Sequence, residues 1–186
     1  MPTAAHLVAF DEFQQIPDPS NADFLELHFG EVVRIPVPPF EHFGIQARLN
    51  KLLSPRLRHF GQFGAEFPFR ALPEYEARRA HDAVLSWARF RATPLDDCLR
   101  GAPDLTVEVV TSSTRTDGIP AKRQLCLANR CLEFWVVHCP ARTVEVSRVD
   151  GSNAIYGEGD TIPLATFGGA DLPVSPIFDI YAQGEA

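Results

Sequence analysis

Two carboxylates within otherwise apolar segments are the strongest candidates for chemistry in this sequence. Asp82 lies in RAHDAVLSWARF (79–90), and Glu108 lies in LTVEVV (105–110). Burying an ionised carboxylate is costly unless a cation, a metal ion or several hydrogen bonds compensate its charge. If the two segments are neighbouring strands, the acids can lie about 5 Å apart across the sheet. That spacing suits Mg²⁺, with Mn²⁺ as the alternative ion, because Mg²⁺ takes one or two protein carboxylates and keeps several waters.

Lys122 is the third candidate. In a helix beginning after Asp117 it falls on the stripe Ile119–Lys122–Cys126–Asn129, whose spacing of three, four and three places these residues on one helix face. The stripe is mostly apolar or small, so we expect Lys122 to point toward the sheet and Arg123 to be turned about 100° away. A lysine beside a metal-bound water could orient that water or stabilise charge developing on a phosphate.

The elements that must position these residues are clearest in residues 103–138, which predict a strand, a polar loop, a helix and a second strand. Asp117 is the expected helix N-cap, and Pro120 is tolerated in the first turn. Glu133 to His138 (EFWVVH) is mostly apolar, as is typical of a strand covered on both faces. A strand–helix–strand unit of this length predicts two parallel strands joined by a crossover.

The remaining segments predict further strands and one long helix. Residues 24–37 predict a hairpin around Gly30, and residues 41–60 predict a helix that Pro55 should kink or divide. Strands are predicted at 65–72, 79–90 and 143–148, and regular alternation in the second would place Ala80, Asp82, Val84 and Ser86 on one face. The predicted fold class is therefore α/β, with a central mixed sheet flanked by helices.

Composition bounds the class of protein. A chain of 186 residues with 45% hydrophobic residues is most simply one domain, here an N-terminal arm (1–22) and a core (23–181). The apolar runs are too short to cross a bilayer and no signal peptide is evident, so we expect a cytoplasmic protein with no membrane association. The net charge of −7 argues against a surface coated with phosphate-binding residues.

The order of these elements and residues resembles the PD-(D/E)XK nuclease superfamily. Within it, the chain is similar to the Uma-type family of restriction-endonuclease-like proteins. The resemblance covers about residues 10–180 and rests on FLELHFGE (24–31), EH (41–42), HDAV (81–84), PDLTVEVVTSST (103–114), Asp117 with Lys122, and LEFWVVH (132–138).

This resemblance implies a Mg²⁺- or Mn²⁺-dependent endonuclease that acts on DNA, with Asp82 and Glu108 as the metal ligands. The lysine that the superfamily places two residues after the second acid is Val110 here, and Lys122 matches the Uma-type position on the next helix. Secondary active-site candidates are Glu31, His42 and Asp117. Candidates for contacts with the DNA backbone are Arg78, Arg79, Arg89, Arg91 and Arg115. A homodimer is expected if both strands are cut.

Structural roles remain open for the same residues. Asp82 could pair with Arg79 or Arg89, Glu108 could pair with an arginine, and a lysine on a helix is often solvated. The family's proline before the first acid is His81 here, and such departures favour the alternative of a non-catalytic nucleic-acid-binding or regulatory module that retains the nuclease fold. A protein-interaction domain is a third reading. Asp104 is about 13 Å from Glu108 along an extended strand, which indicates a structural residue.

Overall fold

The computed structural model of the protein describes residues 7–17, 19, 23–72, 76–114 and 116–181. The helices are α1 (Phe10–Phe13), α2 (Phe40–Leu57), α3 (Trp87–Ala92) and α4 (Ile119–Ala128), and short 3-10 helices span Ala165–Phe167 and Ser175–Phe178. The strands are β1 (Phe24–His28), β2 (Glu31–Ile35), β3 (Gly61–Arg70), β4 (Arg78–Ser86), β5 (Leu99–Arg100), β6 (Leu105–Val110), β7 (Glu133–His138), β8 (Thr143–Arg148), β9 (Asn153–Tyr156), β10 (Thr161–Ile162) and β11 (Leu172–Pro173).

A seven-stranded mixed sheet forms the centre of the molecule, in the order β5-β3-β4-β6-β7-β8-β9. β6 and β7 are parallel, from Leu105 opposite Glu133 to Val110 opposite His138, so the predicted strand–helix–strand unit is confirmed. β4 is antiparallel to both of its neighbours, β3 and β6. The strand that carries Asp82 therefore lies beside the strand that carries Glu108, and the predicted fold class is confirmed.

Helices cover both faces of the sheet, which explains why all six residues of β6 are buried. On one face, Leu49 and Leu53 of α2 pack in one apolar cluster with Val107 of β6. On the other face, Leu125 of α4 packs with Phe134 of β7. The alternation of side chains along each strand thus supplies two separate cores, one under α2 and one under α4. Within the described ranges, no helix has the length and apolar content needed to span a bilayer.

Three local predictions differ from the structure. The predicted strand 79–90 ends at Ser86, whose N–H is bound by the Asp104 carboxylate at 2.7 Å, and α3 begins with the next residue. α2 is not divided at Pro55, because that residue lies in the last turn, where the proline removes only one hydrogen bond near the helix end. Asp117 is not the N-cap of α4, because Gly118, which has no side chain, occupies that position.

The hairpin of β1 and β2 forms as predicted, but as a separate two-stranded sheet. It is attached to the main sheet just before β4, where the N–H of Leu27 donates to the carbonyl of Ala77 at 2.8 Å and the reverse bond measures 3.0 Å. The carboxylate of Glu26 then accepts the N–H of Arg79 at 2.8 Å. The hairpin consequently delivers a buried acid to the first half of β4.

Candidate active site

Regular side-chain alternation fails in β4 at Asp82. Ala80 and Ala83 both pack in the cluster on the α4 side, although residues three apart on a regular strand point to opposite faces. Val84 packs in the cluster on the α2 side, so the prediction that Ala80 and Val84 share one face is wrong. The break lies between Ala80 and Ala83, at His81 and Asp82.

The neighbouring strand is distorted at the same level. Glu66 of β3 lies between the paired positions Ala65–Asp82 and Phe67–Ala80, and its φ of +49° is in the left-handed region. That region is unfavourable for a residue with an ordinary side chain. The distortions of β3 and β4 therefore coincide beside the first candidate acid.

Side chains satisfy the backbone groups that the distorted ladder releases. The amide of Gln46, on α2, donates to the carbonyl of His81 at 2.7 Å. The N–H of Val109, on β6, donates to Nδ1 of His81 at 2.9 Å. The paired residues of β4 and β6 run only from Asp82–Val107 to Val84–Leu105, so the two strands separate where Glu108 begins the second half of β6.

Asp82 lies at this separation, fully buried. Neither of its carboxylate oxygens has a hydrogen-bond partner among the residues that the structure describes. Burial raises its pKa well above the usual range, and the nearby carboxylates of Glu66 and Glu108 raise it further. The alternative that Arg89 neutralises Asp82 is wrong, because Arg89 binds Asp104 at 3.1 Å. The carboxylate is left with like charges as neighbours.

Glu108 and Lys122 meet as a buried pair, 2.8 Å apart, so Lys122 points toward the sheet as predicted. Lys122 Nζ also donates to the carbonyl of Arg79 at 2.6 Å. Burial opposes the charge on Lys122, but Glu108 and Glu26 outweigh it and raise the lysine pKa. Burial raises the pKa of Glu108, and Lys122 counteracts that rise. Lys122 is therefore a fixed positive charge at neutral pH.

Two histidines pack beside this pair. The rings of His42 and His81 are 4.4 Å apart and nearly perpendicular. Burial, followed by the neighbouring His81, lowers the pKa of His42 to about 4. Burial, followed by Lys122, lowers the pKa of His81 to about 3. Both rings are neutral at pH 7, and because Nδ1 of His81 accepts from Val109, its proton is on Nε2, which faces Glu108 at 3.6 Å.

The other predicted site residues are placed differently. Glu31 is exposed at the start of β2, and Asp117 is exposed in the turn before α4. The hairpin instead contributes Glu26, which sequence reasoning missed. Its signal was present, since Glu26 is an acid within the apolar strand FLELH, as Glu108 is in its own strand. Glu66 carried no such signal, because it follows Gly64-Ala65 in a strand of mixed polarity.

Most of the arginines predicted to contact DNA are engaged within the protein. Arg78 is buried against Glu76 at 2.7 Å, and Arg89 is held by Asp104. Arg79 lies over the ring of Phe24 and Arg91 over that of Trp87. Arg115 lies outside the described residues. Of the described four, Arg91 is the one whose side chain is exposed, so it remains the most accessible candidate.

The two acids at the strand separation carry oxygen atoms of the type that a hard divalent ion prefers. Asp82 has two buried oxygens with no hydrogen-bond partner in the described ranges. Lys122 contacts one of the two Glu108 oxygens and leaves the other to a ligand. Across the part of the chain that the structure describes, no group of three or more His, Cys, Asp or Glu side chains is arranged to hold a metal. Two carboxylates are nevertheless sufficient for Mg²⁺, because that ion keeps most of its waters.

Comparisons with known proteins agree with this fold. The family model "Uma2: Putative restriction endonuclease" matches residues 10–175. A crystal structure of "a putative nuclease belonging to DUF820" from Anabaena variabilis ATCC 29413 has a similar fold, with a TM-score of 0.77 and 18% sequence identity over 94% of this chain and 99% of that chain. No curated protein matches the sequence. The family match covers most of the chain, and the protein therefore belongs to the Uma2 family, which is described as a putative restriction endonuclease family.

Proposed function

We propose that this protein is a metal-dependent endonuclease that hydrolyses phosphodiester bonds in DNA. The observation that carries the proposal is the carboxylate of Asp82, which is fully buried beside other acids, with neither oxygen hydrogen-bonded to any residue that the structure describes. A protein gains no stability from such a group, and residues of this kind are typical of functional sites. The family match supports a nucleic-acid substrate for the same centre.

In this proposal, Asp82 and Glu108 hold the divalent ion. When bound, the ion would lower the pKa of a coordinated water and offset the charge of the scissile phosphate. The oxygens of Asp82 can bind the ion without first breaking a hydrogen bond to any described residue. Glu108 supplies the oxygen that faces Nε2 of His81 at 3.6 Å, a separation longer than a hydrogen bond.

We assign to Lys122 the role of stabilising the scissile phosphate. Because Glu108 and Glu26 keep the ammonium protonated, Lys122 cannot act as the base that takes a proton from water. It can stabilise the negative charge that grows on the phosphoryl oxygens during attack, which is the larger effect in most such sites. The hydrogen bond to the carbonyl of Arg79 fixes the position of the ammonium.

Cleavage of supercoiled plasmid DNA tests the proposal. We expect nicked or linear product with Mg²⁺ or Mn²⁺ and none with EDTA. The variants Asp82→Ala and Glu108→Ala should each lower the rate at least about a hundredfold. The matched control is Glu158→Gln, which removes a half-exposed carboxylate just after the edge strand β9. Wild-type protein that is folded but does not cleave any plasmid, linear or single-stranded DNA would refute the proposal.

A second function is favoured by one observation. Lys122 neutralises Glu108 directly, so part of the site is balanced without a metal ion. A nucleic-acid-binding or regulatory module that retains the fold would show this arrangement. Such a module should shift DNA in a gel with an affinity that falls as salt rises, and Asp82→Ala should leave that shift unchanged because no turnover is involved. Cleavage that depends on Asp82 would exclude this alternative.

A further inference from the structure

Glu66 has a backbone conformation that its residue type does not favour. Its φ of +49° lies in the middle of the long strand β3, where glycine or asparagine would be the ordinary choice. Non-glycine residues in this region are held there by surrounding structure, and they cluster at functional sites. The positive φ of Glu66 therefore points to a functional role for its side chain.

The surroundings of Glu66 place it at the edge of the site. One oxygen accepts a hydrogen bond from the Gln46 amide at 3.0 Å and lies 4.0 Å from Nε2 of His42. The side chain is 31% exposed, whereas that of Glu108 is 6% exposed. Glu66 is thus the acid of the cluster that solvent reaches, and Gln46 holds it in place while also binding the carbonyl of His81.

Three buried acceptor atoms beside Glu66 have no hydrogen-bond partner within the described part of the chain: both oxygens of Asp82 and Nε2 of His42. His42 is neutral, so Nε2 can accept a hydrogen bond when the ring proton is on Nδ1. Direct coordination by three carboxylates is not supported, since no group of that size among the described residues could hold an ion. Waters on a divalent ion are strong donors, and acceptors that face them fix their positions.

We propose that Glu66 is a positioning residue of this centre: with Nε2 of His42, it accepts hydrogen bonds from water ligands of the ion that Asp82 and Glu108 would hold. The inference rests on the proposed function and adds to it a carboxylate that acts through water. The alternative is that Glu66 only completes the local hydrogen bonding of the distorted strand.

Binding of Mn²⁺ to the purified full-length protein separates these two roles. Electron paramagnetic resonance gives the dissociation constant, and water-proton relaxation reports the ordered water on the bound ion. Glu66→Gln keeps the length of the side chain and an acceptor for Gln46 but removes the charge. We expect its dissociation constant for Mn²⁺ to rise about tenfold, the order of the effect of one negative charge that acts on a divalent ion through water. Glu158→Gln should bind as wild type does.

A second variant addresses folding. Glu66→Asn places at this position a residue that tolerates positive φ, so its melting temperature should equal or exceed that of wild type while Mn²⁺ binding weakens. If either Glu66 variant binds Mn²⁺ as tightly as wild type, with unchanged water relaxation, the inference is wrong and the proposed function stands. If wild-type protein binds no Mn²⁺, or if Asp82→Ala leaves binding unchanged, both are wrong.

Discussion

Replacing Asp82 with alanine should stabilise the metal-free protein. The substitution removes two buried oxygens without described partners, and each unsatisfied buried polar atom costs roughly 1–3 kcal/mol. It leaves a cavity of roughly 40 Å³, which costs about 1 kcal/mol at about 24 cal/mol per Å³. The net gain is therefore on the order of 1–5 kcal/mol. For a chain of this size, each kcal/mol raises the melting temperature by about 2–4 °C.

The gain should depend on pH in a defined direction. The folded-state pKa of Asp82 is raised, so the wild-type protein loses stability as pH rises from the ordinary carboxyl value of 3.8 through the folded-state pKa. The advantage of Asp82→Ala should accordingly be larger at pH 7.5 than at pH 4.5. Thermal unfolding in EDTA at the two pH values measures it.

Val107→Ala is the matched control, because Val107 faces Asp82 across β4 and β6 and is equally buried. Removing its two methyl groups should cost about 2 kcal/mol at both pH values. A loss of stability in Asp82→Ala as large as that in Val107→Ala would refute the reasoning, since it would mean that the carboxylate has stabilising partners.

Three further predictions concern the groups around Asp82. Lys122→Met should lower stability by about 3–5 kcal/mol, because it leaves Glu108 charged, buried and unpaired. In urea unfolding, the double variant Glu108→Gln/Lys122→Met should recover most of this loss. No recovery would contradict the pairing. Burial would raise the pKa of Glu26, but Lys122 and His28 outweigh it and lower the pKa to about 2. Glu26→Gln should therefore lower the free energy of unfolding by about 3 kcal/mol at pH 7 and by less than half of that at pH 3. An equal loss at both pH values would count against this coupling. Burial lowers the pKa of His81 to about 3, so wild-type stability should fall as pH drops below 6.5, where the unfolded chain binds a proton that the folded protein does not. The melting temperature of His81→Phe should fall less steeply between pH 6.5 and 4.5. Equal slopes of melting temperature against pH would show that His81 is not the cause.

The central strand–helix–strand unit could be predicted because its signals are local. β6 and β7 are mostly apolar and lie on either side of a polar loop and an amphipathic helix, so length and pattern were sufficient. The inward direction of Lys122 followed from the same helical spacing. These features depend on neighbours within a few residues, which a single sequence displays.

The break in β4 could not be predicted, because its causes are distant in sequence. The apolar content of residues 79–86 indicates a strand, and the sequence holds no glycine or proline there that would suggest an irregularity. The irregularity is stabilised by Gln46 from α2, by the amide of Val109 from β6 and by the backbone of Glu66. The separation of Asp82 from the regular sheet is thus a tertiary effect.

Glu26 illustrates an intermediate case. An acid in an apolar strand is a readable signal, but sequence alone does not show which end of a hairpin faces the main sheet. The bridge between Leu27 and Ala77 decides this, and it brings Glu26 rather than Glu31 to the backbone of Arg79. The start of α3 could not be predicted for the same reason. It follows the hydrogen bond from the Ser86 N–H to the carboxylate of Asp104, which is 18 residues away in sequence.

The central claim is that Asp82 and Glu108 together bind a divalent ion beside a protonated Lys122. A crystal structure of the protein soaked in MnCl₂, with anomalous diffraction recorded near the manganese edge, tests it most directly. The account predicts one strong anomalous peak within about 2.0–2.4 Å of oxygens from both carboxylates, with Lys122 still directed at the site. It would be contradicted by the absence of a peak there at saturating Mn²⁺ while Lys122 alone occupies Glu108.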